Sequence, residues 1–167
     1  MFCANVIGIA GSSLSFVLLF TGILTDFWLV NFGVGLTHEG LWQICSKDIC
    51  SKIAGLRFIE ATRALLIISM SFLTFAMLSS CLSFKNFSIG KITCALIAAL
   101  MEFLAVLFLI TGMSVYTGET AYQVNNNSYN YQWSFYLCWT ATLTTLTAGI
   151  SHVLAHKVSP QPGYESV

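Results

Sequence analysis

The chain has 167 residues, of which 56% are hydrophobic and only 8% are charged, and its formal net charge is zero. Soluble domains carry about 25% charged residues, so this composition excludes a water-facing globular surface and favours a lipid bilayer as the solvent. The balanced charge provides no basic field, so we expect no nucleic acid among the partners.

Four apolar segments are long enough to cross a bilayer, because about 30 Å of hydrocarbon needs a helix of about 20 residues. None contains proline, so each can satisfy its backbone hydrogen bonds internally. We interpret the first as a retained helix, since it lacks the basic start and the short apolar core of a secretory signal. The predicted helices cover residues 4–24, 64–84, 92–115 and 134–155. They form one membrane domain over residues 1–157, followed by a polar tail over 158–167.

The predicted connections are a long first loop over 25–63, a short turn over 85–91 and a second loop over 116–133. An even number of spans puts both termini on one side. Lys and Arg divide three against four between the two sides, so the positive-inside rule does not decide the orientation.

Two other features indicate the orientation. A disulfide between Cys45 and Cys50 in the first loop would need an oxidising compartment. Asn126 in the second loop starts a glycosylation sequon, whereas the sequon at Asn86 would be silent in a cytosolic turn. We therefore expect cytosolic termini, a cytosolic short turn, and lumenal or extracellular large loops.

The first loop alternates short apolar and aromatic runs with Gly, Asn and Asp, which favours short strands over helix. Four residues separate Cys45 from Cys50, enough for a tight hairpin whose cysteines face each other across two strands. We favour a disulfide that fixes this hairpin, and two free thiols are the alternative.

The motif Gly40-Leu41-Trp42, followed by Cys45 and Cys50, resembles the signature of the claudin, peripheral myelin protein and epithelial membrane protein superfamily. The aromatic pair Phe27-Trp28 after the first helix and Arg63 near the second fit the same pattern. The resemblance implies a claudin-like membrane all-α fold, in which a four-transmembrane-helix bundle carries a small lumenal or extracellular antiparallel β-sheet. Two roles stay open for Trp42: contact with another protein, or docking of the sheet onto the bundle.

Two branches of the superfamily look most similar. The stretch "THEGLWQICSKDIC" resembles the lens-fibre branch, and "LTDFW", "WSFYLCW" and "PGYESV" resemble the natural killer cell granule branch. The granule branch implies a non-enzymatic protein, without cofactors, that supports trafficking and exocytosis of cytotoxic granules in lymphocytes. The lens-fibre branch implies cell–cell adhesion, and an auxiliary subunit of an ion channel is a third function on the same fold. The partners expected are the lipid bilayer and other membrane proteins, with further copies of this chain as one alternative.

Ionisable side chains also occur inside the apolar segments. Glu102 lies within the third, where a charged residue costs about 2.5–3.5 kcal/mol on insertion scales, so it should face the bundle. It is interpreted as a protonated anchor to Ser and Thr of neighbouring helices, and an ion or proton path is the alternative. His152 and His156 are interpreted as side chains that snorkel to the membrane interface.

Two features at the cytosolic side suggest modification and sorting. Cys3, Cys81 and Cys94 are palmitoylation candidates, and a buried thiol is the equal alternative for each. The last four residues, Tyr164 to Val167, fit the tyrosine-x-x-apolar peptide that clathrin adaptors bind in extended form.

Gly163 directly before Tyr164, and an apolar residue at the very end, resemble the tails of lysosomal membrane glycoproteins. Prolines at 160 and 162 favour an extended tail. The tail therefore predicts residence in lysosome or cytolytic granule membranes and at the plasma membrane. The alternatives are a PDZ ligand ending in Val167 and an inert tail.

Overall fold

Four long helices dominate the computed structural model, which describes residues 2–33, 35–47, 49–83, 88–89, 92–126 and 128–158. The helices are α1 (Phe2–Leu24), α2 (Arg57–Ser83), α3 (Cys94–Asn125) and α4 (Trp133–Val158). Each packs against two others: α1 and α3 both contact α2 and α4. The result is a closed four-helix bundle in which neighbouring helices run in opposite directions.

Three of the helices are long and apolar enough to cross a membrane, as judged on the described residues: Cys3–Leu24, Arg57–Ser83 and Cys94–Asn125. The fourth has 26 residues, and the threonines that recur along it lower its mean hydropathy. Their hydroxyls donate to carbonyls three or four residues earlier, so the helix satisfies them itself. The threonines concerned are Thr140, Thr142, Thr144, Thr145 and Thr147.

A small antiparallel sheet covers one end of the bundle. Its strands come from the first loop and from the short segment before α4, and a separate hairpin links α2 to α3. In chain order the strands are β1 (Leu29–Asn31), β2 (Thr37–Glu39), β3 (Gln43–Ser46), β4 (Ile49–Lys52), β5 (Ser88–Ile89), β6 (Ile92–Thr93) and β7 (Asn130–Tyr131). The five-stranded sheet has the order β4-β3-β2-β1-β7, and β5 pairs with β6. The predicted four-helix bundle with an antiparallel sheet is confirmed.

The helix boundaries differ most from the prediction in two places. The second helix begins at Arg57 rather than 64, and the third runs on to Asn125 rather than ending at 115. Both additions are polar, as in the stretch "TGETAYQVN", and hydropathy marks only the part of a helix that lipid can cover. The expected second loop over 116–133 is therefore mostly helix.

The largest apolar cluster lies in the half of the bundle beneath the sheet. It combines aromatic and leucine side chains of all four helices with Trp28, Leu29 and Leu41 from the first loop, and all of them are buried. We call this cluster the sheet-side core, and its helix members are Leu19, Ile23, Leu66, Leu73, Ala105, Leu109, Met113, Tyr116, Phe135, Cys138 and Ala141. The sheet is therefore continuous with the interior of the bundle.

Candidate functional site

The Gly40-Leu41-Trp42 motif lies between β2 and β3, against the C-terminal end of α1. A Cβ on Gly40 would lie 2.5 Å from the Cα of Asp26, so the backbone there leaves room only for glycine. Leu41 is fully buried in the sheet-side core. The Trp42 indole N–H donates to the carbonyl of Ile23 at 2.8 Å. The motif therefore fits one strand connection tightly onto the first helix.

Arg63 completes this arrangement from α2. Its guanidinium donates to the carbonyl of Leu41, at 2.7 Å from Nε, and to the carbonyl of Ile53, at 3.1 Å from Nη2. The same group lies over the Trp42 ring, 4.8 Å from its centroid, in cation–π geometry. One side chain thus holds two loop carbonyls and the signature tryptophan together, which favours the docking role for Trp42.

Trp28 plays a matching part that the sequence did not assign to it. Its indole N–H donates to the carbonyl of Gly22 at 2.8 Å, and the ring is fully buried against Tyr116 and Phe135. Carbonyls in the last turn of a helix have no intrahelical donor, so the two indoles cap α1. The only signal in the sequence is the Phe27-Trp28 pair directly after the helix. We call Trp28, Gly40, Leu41, Trp42 and Arg63 the sheet anchor.

The two loop cysteines are brought together as expected. Cys45 in β3 is directly opposite Cys50 in β4, and a disulfide joins them. Cys45 is buried, whereas every residue of β4 is exposed. The bond therefore fastens an exposed edge strand to the rest of the sheet.

A second group of polar side chains is buried in the other half of the bundle, with one residue from each helix. Glu102 of α3 is hydrogen-bonded through Oε2 to Nδ1 of His152 on α4 at 2.8 Å, and through Oε1 to the hydroxyl of Ser12 on α1. The remaining imidazole nitrogen, Nε2, is 2.9 Å from the hydroxyl of Ser80 on α2. Both Glu102 and His152 are 0% exposed. We call these four residues the polar cluster.

The cluster agrees with the expectation that Glu102 faces the bundle, but it differs from the expectation for His152. Glu102 does face the bundle, and Ser12 is one of its partners. The snorkelling role predicted for His152 is wrong, because its ring is buried and both its nitrogens have partners. Its neighbour His156 is half-buried and hydrogen-bonded to Thr93 at 2.9 Å. The spacing of charged residues in the sequence carries no sign of a Glu102–His152 contact, which depends on how α3 packs on α4.

Two further α1 residues shape the surroundings of the cluster. A Cβ on Gly8 would lie 2.4 Å from Nε2 of His152, so the imidazole packs directly on the backbone of α1. Asn5, one turn earlier, is buried and donates through Nδ2 to the hydroxyl of Ser83 at 3.2 Å. Its Oδ1 has no hydrogen-bond partner among the described residues.

The three palmitoylation candidates separate into two kinds. Cys3 and Cys81 are exposed at the end of the bundle where α1 begins and α4 ends. Cys94 is buried, which favours the alternative of a buried thiol over acylation. Cys3 and Cys81 remain predictions.

The glycosylation candidate Asn126 is exposed and caps the C-terminal end of α3, where its backbone N–H bonds to the carbonyl of Tyr122 at 3.2 Å. Close by, burial and a hydrogen bond to Glu39 raise the pKa of Tyr129 to about 12, which keeps its phenol neutral. The sorting residues Gly163, Tyr164 and Val167 lie outside the described residues. Within the described part of the chain, no group of three or more potential metal ligands occurs.

Comparisons with known proteins agree with this geometry. Protein NKG7 from Bos taurus is 34% identical over 163 residues, which cover 93% of each chain. Lens fiber membrane intrinsic protein from Rattus norvegicus is 28% identical over 147 residues, covering 85% of each chain. Human claudin domain-containing protein 2 is 26% identical over 155 residues, covering 90% of this chain and 86% of its own. Residues 4–152 match the PMP-22/EMP/MP20/Claudin family, and the chain belongs to that family as an integral, multi-pass membrane protein.

Proposed function

We propose that the protein resides in the membrane of lysosome-related, cytotoxic granules and supports their trafficking and exocytosis without acting as an enzyme. The observation that carries the proposal is its similarity to Protein NKG7, which extends over 93% of both chains. The tail "PGYESV" supports the same location, because it resembles the tails of lysosomal membrane glycoproteins.

The orientation that this proposal needs has two supports. The disulfide-bonded strands and Asn126 lie at one end of the bundle, and α1 begins and α4 ends at the other. Disulfides persist in oxidising compartments, so we place the sheet in the lumen or outside the cell and both termini in the cytosol. Tyr164 follows Val158, the last residue of α4, by six positions. A clathrin adaptor at the cytosolic surface of the membrane could then reach the tail.

The decisive experiment is localisation of the tagged protein in cells with cytotoxic granules. We expect the wild type in granule membranes, and we expect Tyr164→Ala to accumulate at the plasma membrane because the adaptor loses its tyrosine. Ser166→Ala is the matched control, since that position of the motif accepts any residue. A wild type that concentrates at cell contacts, with no shift on Tyr164→Ala, would refute the granule proposal.

Orientation is tested separately by glycosylation. Asn126→Gln should abolish a glycosidase-sensitive mobility shift, and Asn125→Gln should retain it because Asn125 starts no sequon. A shift that Asn86→Gln removes instead would show that the short turn, and with it both termini, faces the lumen.

Cell–cell adhesion is the second candidate function. It is favoured by the similarity to lens fiber membrane intrinsic protein and by exposed apolar residues around the sheet. Ile49, at the start of the edge strand β4, is 77% exposed, and Phe32, after β1, is 66% exposed. Ile49→Ser should weaken aggregation of transfected cells if these residues meet a facing membrane protein, and should leave granule localisation unchanged.

A further inference from the structure

The polar cluster contains two ionisable side chains, so the position of its protons determines whether the interior of the bundle holds charge. Glu102 and His152 form the central contact at 2.8 Å, and Ser12 and Ser80 are the outer partners. None of the four side chains is more than 1% exposed. Hydrogen bonds with other protein groups must therefore account for every proton.

The proton count starts at Ser12. A serine hydroxyl has one hydrogen, and the carbonyl of Gly8 accepts from it at 2.8 Å. The same hydroxyl is also within hydrogen-bonding distance of Glu102 Oε1, and when its hydrogen is donated to Gly8, a hydrogen on Oε1 completes this second contact. Oε2 then accepts from Nδ1–H of His152, and Nε2 accepts from the hydroxyl of Ser80. In this arrangement every polar side-chain hydrogen of the four residues in the polar cluster has an acceptor.

The alternative is an ion pair between a Glu102 carboxylate and a His152 imidazolium. Nε2 would then be a donor to Ser80, and the hydroxyl hydrogen of Ser80 would need another acceptor. Among the described residues, Ser80 has no hydrogen-bond partner other than His152. Both ions would also lose their hydration inside the bundle, and a buried pair regains that loss only with complete hydrogen bonding.

We propose that Glu102 is a carboxylic acid whose O–H donates to Ser12, and that His152 is a neutral imidazole whose Nδ1–H donates to Glu102, so that neither side chain carries a charge. Each partner lies on a different helix, so one uncharged chain of hydrogen bonds clamps all four. A further proton on His152, or loss of the carboxyl proton of Glu102, would leave a buried charge without a counter-ion. This inference goes beyond the proposed function and does not depend on it.

Among the residues that the structure describes, no titratable group around the pair changes this count. On the terminal side of the pair, the described titratable residues are Cys3 on α1, Cys81 on α2, Cys94 on α3, and His156 and Lys157 on α4. Cys3 and Cys81 are exposed, and His156 is bonded to Thr93. The other titratable residues of the helices lie toward the sheet: Arg57, Glu60, Arg63, Tyr116, Glu119, Tyr122, Tyr136 and Cys138. None of either set is hydrogen-bonded to Glu102 or His152 within the described chain.

Infrared spectroscopy of the purified protein in lipid nanodiscs tests the proton position directly. The wild type should show the carbonyl stretching band of a buried, protonated carboxyl group at both about pH 5 and about pH 7.5. Glu102→Gln should remove that band, and Glu119→Gln, the matched control on the same helix, should keep it. Absence of the band from the wild type, or a carboxylate band that Glu102→Gln removes, would overturn the proposal.

Thermal unfolding provides the second test. Gln can donate to Ser12 and accept from His152, so Glu102→Gln should match the wild-type unfolding midpoint at each of the two pH values. Glu102→Ala removes both contacts and should lower the midpoint by about 3 °C or more. A Glu102→Gln protein that fails to fold, or that unfolds at a clearly lower temperature than the wild type, would indicate an ion pair and overturn the proposal.

Discussion

The two halves of the bundle are held together by different interactions. Beneath the sheet, large apolar side chains such as Leu66, Leu109 and Tyr116 fill the interior, and the sheet anchor closes the end. Toward the termini, the interior contains Ser12, Glu102 and His152 and relies on hydrogen bonds between helices.

The difference shows how helices associate in lipid. Lipid tails are as apolar as leucine, so burial from water does not drive helix pairing, and shape complementarity or hydrogen bonding must do so. The sheet-side half is held together by shape complementarity, and the water-facing sheet that covers it stabilises it further. The terminal half uses a polar chain in which each helix contributes one partner. Substitutions that disturb one half at a time should separate the two contributions.

The largest effect is expected from Gly40→Ala in the sheet anchor. The new Cβ would collide with the backbone of Asp26, which cannot rotate away, so the free energy of unfolding should fall by about 3 kcal/mol. Thermal unfolding in nanodiscs measures the change. Gly118→Ala in α3 is the control: apart from the backbone of α3 itself, no described atom lies within 4 Å of the new Cβ, and a helical Gly-to-Ala change should stabilise by about 0.5–1 kcal/mol. Equal stability of the two variants would contradict the role of Gly40 in the sheet anchor.

A smaller loss is expected from Gly8→Ala in the terminal half. The new methyl would displace the His152 ring, which can tilt only by lengthening its bonds to Glu102 and Ser80, so we expect a loss of about 2 kcal/mol. Cross-linking or hydrogen exchange should show loosening at the terminal end while the sheet stays protected. Loosening confined to the sheet would show that the halves are not independent.

The smallest effect is expected from Asn5→Leu. The substitution removes one hydrogen bond to Ser83 and also removes the unpartnered Oδ1, whose burial opposes folding. The two terms nearly cancel, so the free energy of unfolding should change by less than about 1 kcal/mol. Asn5→Ala removes the same polar groups but also leaves a cavity, so it should be less stable than Asn5→Leu. A large loss in Asn5→Leu would reveal a partner for Oδ1, such as an ordered water.

Local patterns in the sequence predicted much of the fold correctly. Helix number follows from apolar length, and the hairpin follows from the spacing of Cys45 and Cys50. The polar extension of α3 was not predicted, because hydropathy detects contact with lipid rather than helix. The docking role of Trp42 stayed open, since a tryptophan at a membrane surface suits a partner as well as a helix end.

The polar cluster was only half predictable, for a different reason. A carboxyl group within an apolar segment indicates that Glu102 needs a hydrogen-bond partner, but it does not indicate which residue that partner is. His152 is 50 positions away, and their contact depends on the rotation of α3 and α4 about their own axes. A histidine near a helix end has a plausible role at the membrane interface, and only packing against Gly8 shows that the ring is interior.

The length of α3 sets how far the protein stands above its membrane. Its 32 residues span about 48 Å, and the hydrocarbon of a bilayer is only about 30 Å thick. The helix therefore projects well beyond the lipid, and Asn126 caps its outer end. The strand β7, which follows within a few residues, pairs with β1 and braces this rod against the sheet. A protein or membrane that approaches from the side of the sheet therefore meets the polar end of α3 before it reaches the lipid surface.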